Sequence, residues 1–369
     1  MQRVRVLLLT PRLGGGGAQH VMALLAGELS REKYEVHLGL LTAADAEATA
    51  LPQWVTVHAL GAGRTRTRAI QLLRLVWRVR PAVILSGAAE ANFLTLLLRP
   101  FFPLRTAVLV RQNGTVSSAL AHGDLPRYTR VLYRLLYPRA DRVICQSRAM
   151  AEDLERELNM GEKQIAVLPN PVDINGIRAA MNAPSKRHGL GPHLLAVGRL
   201  SHEKGFDLLL EAMVSVRERF PHADLIIAGT GKEEEALKRQ CQTLHLESTV
   251  SFIGYVDRIY EFFPGTTLFV LSSRYEGMPN SLLEAAAAEL PLVATPASEG
   301  ITDLLRGRRG TWLADEISAE ALAATIVTAL EEIRPGERFG HGFFPDVKER
   351  PGQIAEWSSQ SAKTGTMSD

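Results

Sequence analysis

Short apolar runs alternate with longer stretches of helical periodicity from Val4 to about Glu332, and this alternation limits the fold more than any other feature. A strand that is apolar throughout has to be covered on both faces, which parallel sheets with crossover helices achieve. Val4 to Thr10, Tyr34 to Leu41, Val83 to Ser86, Thr106 to Val110, Arg142 to Gln146 and Gln164 to Leu168 read as strands of a first sheet. Ala18 to Leu29, Arg68 to Val79 and Arg148 to Leu158 read as its helices. A second set has strands at His193 to Val197, Asp224 to Ala228, Val250 to Ile253, Leu268 to Leu271 and Pro291 to Ala294. Its helices are expected at Gly205 to Phe220, Lys232 to Leu244, Pro279 to Ala288 and Ala319 to Glu332. Between the sets, Pro171, Pro184, Gly189, Gly191 and Pro192 interrupt any sustained period. The expectation is an α/β protein of two doubly wound parallel-sheet domains, 1–175 and 193–333, with a linker at 176–192 and an irregular tail at 334–369. Two such domains facing one another would leave a cleft at the carboxyl edges of their strands, where sheets of this kind bind ligands.

A chain of 369 residues supports two buried cores. Its two cysteines, Cys145 and Cys241, make neither a disulfide framework nor a metal knuckle, which suits a reducing compartment and two buried thiols. The apolar run at the N-terminus is too short for a signal peptide. Arg99, Pro100, Pro103 and Arg105 break the greasy region from Asn92 to Val110, so a spanning helix is not expected there. Residues 1–185 carry 23 Lys and Arg against 14 Asp and Glu, and the remainder 19 against 26. A first half at +9 suits an anionic partner, whether nucleic acid, acidic lipid or phosphorylated substrate, and incidental surface composition is the other reading.

Three segments carry candidate chemistry. Gly14 to Gly17 open onto the first helix, so backbone N–H groups and the helix end can approach a phosphate or a sugar hydroxyl. Gln19 stands where a dinucleotide fingerprint needs its third glycine, and no acidic residue ends the next strand, which disfavours a nicotinamide enzyme. A flexible loop without a ligand is the alternative here. Arg199 and Lys204 flank the turn after His193 to Val197, where both cations can meet a diphosphate, although they also fit isolated surface charges. In Ser273-Arg274-Tyr275-Glu276-Gly277-Met278-Pro279-Asn280-Ser281-Leu282-Leu283-Glu284, Pro279 suits the first helical position. The N–H groups near Asn280 and Ser281 then form another phosphate cradle, and Glu284 stands in an otherwise apolar helix where a carboxylate needs donors such as ribose hydroxyls.

GRLSHEKGFDLLLEA, IIAGTGKEEEAL, VSFIGYV and SSRYEGMPNSLLEAAAAELPLVAT, in this order behind a Gly-rich first loop, resemble the retaining glycosyltransferases of family four. The resemblance runs from about residue 4 to 333. It implies the GT-B fold, a nucleotide-sugar donor held mainly by the second domain and an acceptor held mainly by the first. A UDP-linked hexose or N-acetylhexosamine is the expected donor. No metal, cofactor or nucleic acid partner is implied, and the sequence has no Asp-x-Asp. Arg199 and Lys204 match the basic pair at the donor diphosphate, Glu276 the carboxylate at the transferred sugar and Glu284 the one at the ribose. Gly198, Gly277, Met278, Pro279, Asn280 and Ser281 belong to the same donor motifs. Gly254 and Tyr255 match the loop at the base, and Gly16 and Gly17 the loop near diphosphate and acceptor.

The chain departs from the pattern at three places. Val110-Arg111-Gln112-Asn113-Gly114 lacks the family's usual histidine, which leaves Arg111 and Asn113 as the acceptor-side candidates. Glu289 replaces the usual glycine, and the closing helix is poorly matched after Arg334. Members most like SSRYEGMPN build bacterial surface polysaccharides, lipopolysaccharide among them, on lipid-linked acceptors. That implies a cytoplasmic enzyme, peripheral on the inner face of the membrane, and the basic segment Arg64 to Arg80 suits anionic lipid as well as it suits packing on the sheet. The mechanism expected is front-face attack with the leaving phosphate taking the proton. A non-catalytic homologue, and an epimerase or phosphorylase on the same architecture, are the rival readings.

Overall fold

The computed structural model describes residues 3–13, 16–42, 51–61, 65–117, 128–185 and 191–340. The chain divides into two compact units at the Pro171–Val172 bond. Strands β1 (Val4–Thr10), β2 (Tyr34–Leu40), β3 (Thr56–Ala59), β4 (Val83–Gly87), β5 (Ala107–Arg111), β6 (Arg142–Cys145) and β7 (Ile165–Val167) form the first sheet, in the order β3-β2-β1-β4-β5-β6-β7. Strands β8 (His193–Val197), β9 (Asp224–Ala228), β10 (Val250–Phe252), β11 (Leu268–Leu271), β12 (Leu292–Ala294) and β13 (Thr311–Leu313) form the second, in the order β10-β9-β8-β11-β12-β13. Every pairing is parallel.

Both faces of each sheet are covered, which is why the strands are apolar without alternation. Leu7 and Leu9 of β1 enter one cluster with the helices Thr65–Val79, Ala89–Leu98, Tyr128–Leu136 and Arg148–Leu158. Val6 and Leu8 enter the opposite cluster with the helix Gly17–Glu28. In the second unit Leu194 and Ala196 face the helices Phe206–Arg219, Glu234–Thr243 and Ala319–Glu332. Leu195 faces the helices Ile174–Met181, Asn280–Ala287 and Glu299–Leu305. Strand order reverses beside the first strand of each sheet, between β1 and β4 and between β8 and β11. Such switch points open a crevice at the strand ends.

The expected linker needs correction. Residues 174–181 are helical and belong to the second unit, because Ile174, Ile177 and Met181 share one face and Ile177 is fully buried in the core. Asp173 caps this helix, accepting from the Gly176 N–H at 2.9 Å. Strands β3 and β13 and the helices Ala89–Leu98, Tyr128–Leu136 and Glu299–Leu305 were not expected from the sequence. Pro279 lies just outside its helix with an extended ψ of 119°, so the helix starts at Asn280. Gly14, Gly15, Arg64, residues 186–190 and the tail beyond Gly340 lie outside the described residues. Both cysteines are buried.

Glu289 occupies the left-handed position that closes the helix Asn280–Ala287, with φ at 58°. Its N–H donates to the Ala286 carbonyl at 3.0 Å and that of Leu290 to the Ala285 carbonyl at 3.1 Å, the paired bonds of a Schellman end. This geometry explains why glycine would suit the position. Glu289→Gly is expected to stabilise the second unit by about 0.5 to 1 kcal/mol, the strain of a side chain at positive φ less the entropy that glycine adds to the unfolded chain. Thermal unfolding of the two proteins measures it.

Candidate active site

The turn between β8 and the helix Phe206–Arg219 is built to lie against the end of β11. Gly205 adopts φ of 60°, and a Cβ there would stand 2.1 Å from the Ser272 carbonyl oxygen, so both conformation and contact require glycine. The Ser272 hydroxyl donates to the Lys204 carbonyl at 2.8 Å. Gly198 leaves room for the lysine stem, since a Cβ there would meet Lys204 Cδ at 3.2 Å. Thus fixed, the Lys204 ammonium donates to Glu276 Oε1, and the Ser273 hydroxyl donates to the same oxygen at 2.9 Å. Both charged side chains are largely buried, with 17% and 12% of their surfaces exposed, so each depends on the other for compensation.

A second pair fastens the same two loops. Arg274 donates to Asp207 from both terminal nitrogens, at 2.7 and 2.5 Å, and to the His202 carbonyl at 2.9 Å. Burial pushes the Asp207 carboxyl upward, but the hydrogen bonds and charge of Arg274, together with the backbone N–H groups of Asp207 and Leu208, hold the group below its ordinary range. The Arg274 pKa rises chiefly through the bond to Asp207. Neither residue was singled out from the sequence, although both stand inside the quoted motifs.

The helix Asn280–Ala287 completes the arrangement. Pro279, at the N-cap position, offers no side-chain hydrogen bond to the first turn, and the Ser281 hydroxyl donates to the Val197 carbonyl at 3.2 Å, tying the helix start to the end of β8. Glu284, partly exposed one turn further on, has its pKa raised to about 7, by burial first and then by the charge of Asp173. Asp173, expected at the end of the first domain but part of the second unit, therefore contributes to the electrostatics of this carboxyl. Gly277 accepts a bond from the Ser298 hydroxyl at 3.5 Å, and Met278 packs on the apolar core. The Gly254 carbonyl accepts from the Gly229 N–H at 2.7 Å, with Tyr255 half exposed beside it.

Arg199 does not join Lys204. Its side chain is mostly exposed and its guanidinium lies 3.7 Å from Glu203. In the first unit Gly16 precedes the helix starting at Gly17, again without a side-chain cap. Arg111 is the last residue of β5, not a residue beyond it, and is buried. It donates to Asn113 Oδ1 at 2.6 Å and to Asn170 Oδ1, two uncharged oxygens. Burial lowers its pKa to about 10, with Cys145 acting in the opposite direction, so it stays charged at neutral pH. Asn170 and Gln146, whose buried Nε2 has no partner, are polar groups near the carboxyl ends of this sheet that the sequence reading missed.

The site's parts are thus a paired lysine and glutamate at a strand switch point, a helix start and a carboxyl of raised pKa. Comparison with known proteins places them in a family context. The model described as Glycosyltransferase Family 4 matches residues 15–175, and that described as Glycosyl transferases group 1 matches residues 191–332. A Campylobacter jejuni relative, N-acetylgalactosamine-N,N'-diacetylbacillosaminyl-diphospho-undecaprenol 4-alpha-N-acetylgalactosaminyltransferase, is 25% identical over 90% of this chain and 91% of its own length. A Methanocaldococcus jannaschii glycosyltransferase without an assigned role is 24% identical over 64% of this chain, which spans only 61% of that relative. The crystal structure of Anabaena HepE with UDP and glucose is similar at a TM-score of 0.76 and 18% identity, covering 99% of this chain and all of that one.

Proposed function

The chain belongs to the group 1, family 4 glycosyltransferases, with the GT-B fold, and from that premise we propose a UDP-sugar donor, a lipid-linked glycan acceptor and metal-independent transfer with retention. The observation that carries the proposal is the Lys204–Glu276 pair at the β8–β11 switch point, with the start of the helix Asn280–Ala287 tied to β8. Lys204 and the first-turn N–H groups meet the donor diphosphate, and Arg199, exposed on the same turn, swings in to add a planar fork. As the bond from the anomeric carbon to the β-phosphate oxygen breaks, these groups stabilise the growing negative charge. The acceptor hydroxyl forms its bond to that carbon on the same face, and its proton goes to the departing phosphate oxygen. Glu276 contacts the sugar and Glu284 the ribose hydroxyls. Arg111 and Asn113 serve the acceptor, and the enzyme works at the inner face of the membrane.

The UDP donor is supported by the HepE complex, and the lipid-linked acceptor by the Campylobacter relative's diphospho-undecaprenol substrate. The test is calorimetric titration with UDP in excess chelator. Ribose hydroxyls favour the Glu284 carboxylate over its acid, so binding releases a proton wherever the free group is protonated. With the free carboxyl near 7, affinity should rise several-fold from pH 6 to 8. Glu284→Gln should bind UDP about ten-fold more weakly and lose this pH dependence. No UDP binding in chelator, or an unchanged pH profile in the variant, contradicts the assignment.

A further inference from the structure

The helices Thr65–Val79, Ala89–Leu98 and Tyr128–Leu136 lie side by side over one face of the first sheet, with the middle one packed against the other two. Their inner faces fill the core, and their outer faces carry apolar side chains among the arginines. Among the described residues, every large apolar side chain more than half exposed belongs to this layer and the turn that follows its middle helix. The set includes Trp77, Leu97, Phe101, Val131, Leu135 and the wholly exposed Leu104. Trp77 Nε1 donates to the Phe101 carbonyl at 3.0 Å, which fastens the first helix to that turn.

The charges of the layer are almost all positive. Residues 65–79, 89–105 and 128–139 contain nine arginines, no lysine and a single acid, Glu90, which Arg68 holds at 2.9 Å. Arg74, Arg78, Arg105, Arg134 and Arg139 are all exposed. A nucleic acid would answer the arginines and leave the leucines in water. An anionic bilayer answers both, since the apolar and aromatic side chains enter the headgroup boundary while guanidinium groups reach lipid phosphates. No described helix is long and apolar enough to cross a membrane, so the contact is one of lying on the surface.

We propose that this three-helix face is the docking surface of the protein on an anionic membrane. The inference deepens the reading above, on which it rests for its purpose, by naming the surface that brings the first unit to a lipid-linked acceptor.

The experiment is co-sedimentation of the full chain with phosphatidylcholine vesicles, with and without phosphatidylglycerol, across a salt series. UDP titration of every variant checks folding and the donor site. The expected result is binding to the acidic vesicles at low salt and release as salt rises. Each arginine near an anionic surface contributes roughly five-fold, so Arg74→Glu with Arg134→Glu should weaken partitioning by at least about 25-fold with UDP affinity unchanged. Phe101→Ser with Leu104→Ser should weaken binding to the acidic vesicles at low salt as well, with UDP affinity unchanged. Equal binding to neutral vesicles, no binding to acidic ones at low salt, or wild-type partitioning by the arginine variant would overturn the proposal. A protein that takes up UDP but no vesicle refutes the docking face alone, and one that binds vesicles but no UDP refutes the donor reading alone.

Discussion

Lys204→Ala is expected to lower turnover by about 100- to 1,000-fold in a protein that still folds, with a lowered thermal midpoint. The loss of one preorganised donor at developing charge typically has this size. The lysine is largely buried and paired, so its charge works at reduced dielectric. Its removal also leaves Glu276 with only the Ser273 hydroxyl at that oxygen, and the uncompensated carboxylate adds to the loss. Arg199→Ala should cost less, because that side chain starts from an exposed position. Steady-state kinetics with the correct sugar pair, with thermal unfolding as a control, measure both. Turnover near wild type in Lys204→Ala would remove the lysine from the chemistry.

Glu276→Gln should be nearly as damaging to turnover and far milder for nucleotide binding. The amide keeps the size of the group but gives Lys204 no counter-charge and the sugar no anionic acceptor. A fall in kcat of about 100-fold is expected, with UDP affinity within a few-fold of wild type. Lys204 and Glu276 share one bond, so the double variant should lose much less than the product of the single losses. Equal loss of UDP affinity in Glu276→Gln and Glu284→Gln would contradict their separate roles.

The sheets were legible because parallel strands buried on both faces have to be apolar, and β1, β8 and β11 are. Edge strands β3 and β13 were not, since Thr56 to Ala59 and Thr311 to Leu313 are half exposed and carry polar residues. The helix Ile174–Met181 was hidden because Pro171, Pro184 and the nearby glycines read as a connection, while its three core-facing residues are too few to show a period. Lys204 and Glu276 could be named from the sequence, but their pairing could not. It depends on the switch point that brings the ends of β8 and β11 together over 72 residues. The convergence of Arg199 on the same spot was inferred from its place in the turn, and the side chain points to Glu203 instead. In the first unit, Arg111 was found through the departure from the family's histidine, whereas Asn170 and Gln146 lie in no motif and are seen only in three dimensions.

The most direct test of the whole account is proton NMR of the full chain with α-linked UDP-sugars in excess chelator, with and without membranes as acceptor source. The account predicts that one such donor is consumed and that the first sugar product, free or transferred, carries the α configuration. A β product, or activity abolished by chelator and restored by magnesium or manganese, would contradict it.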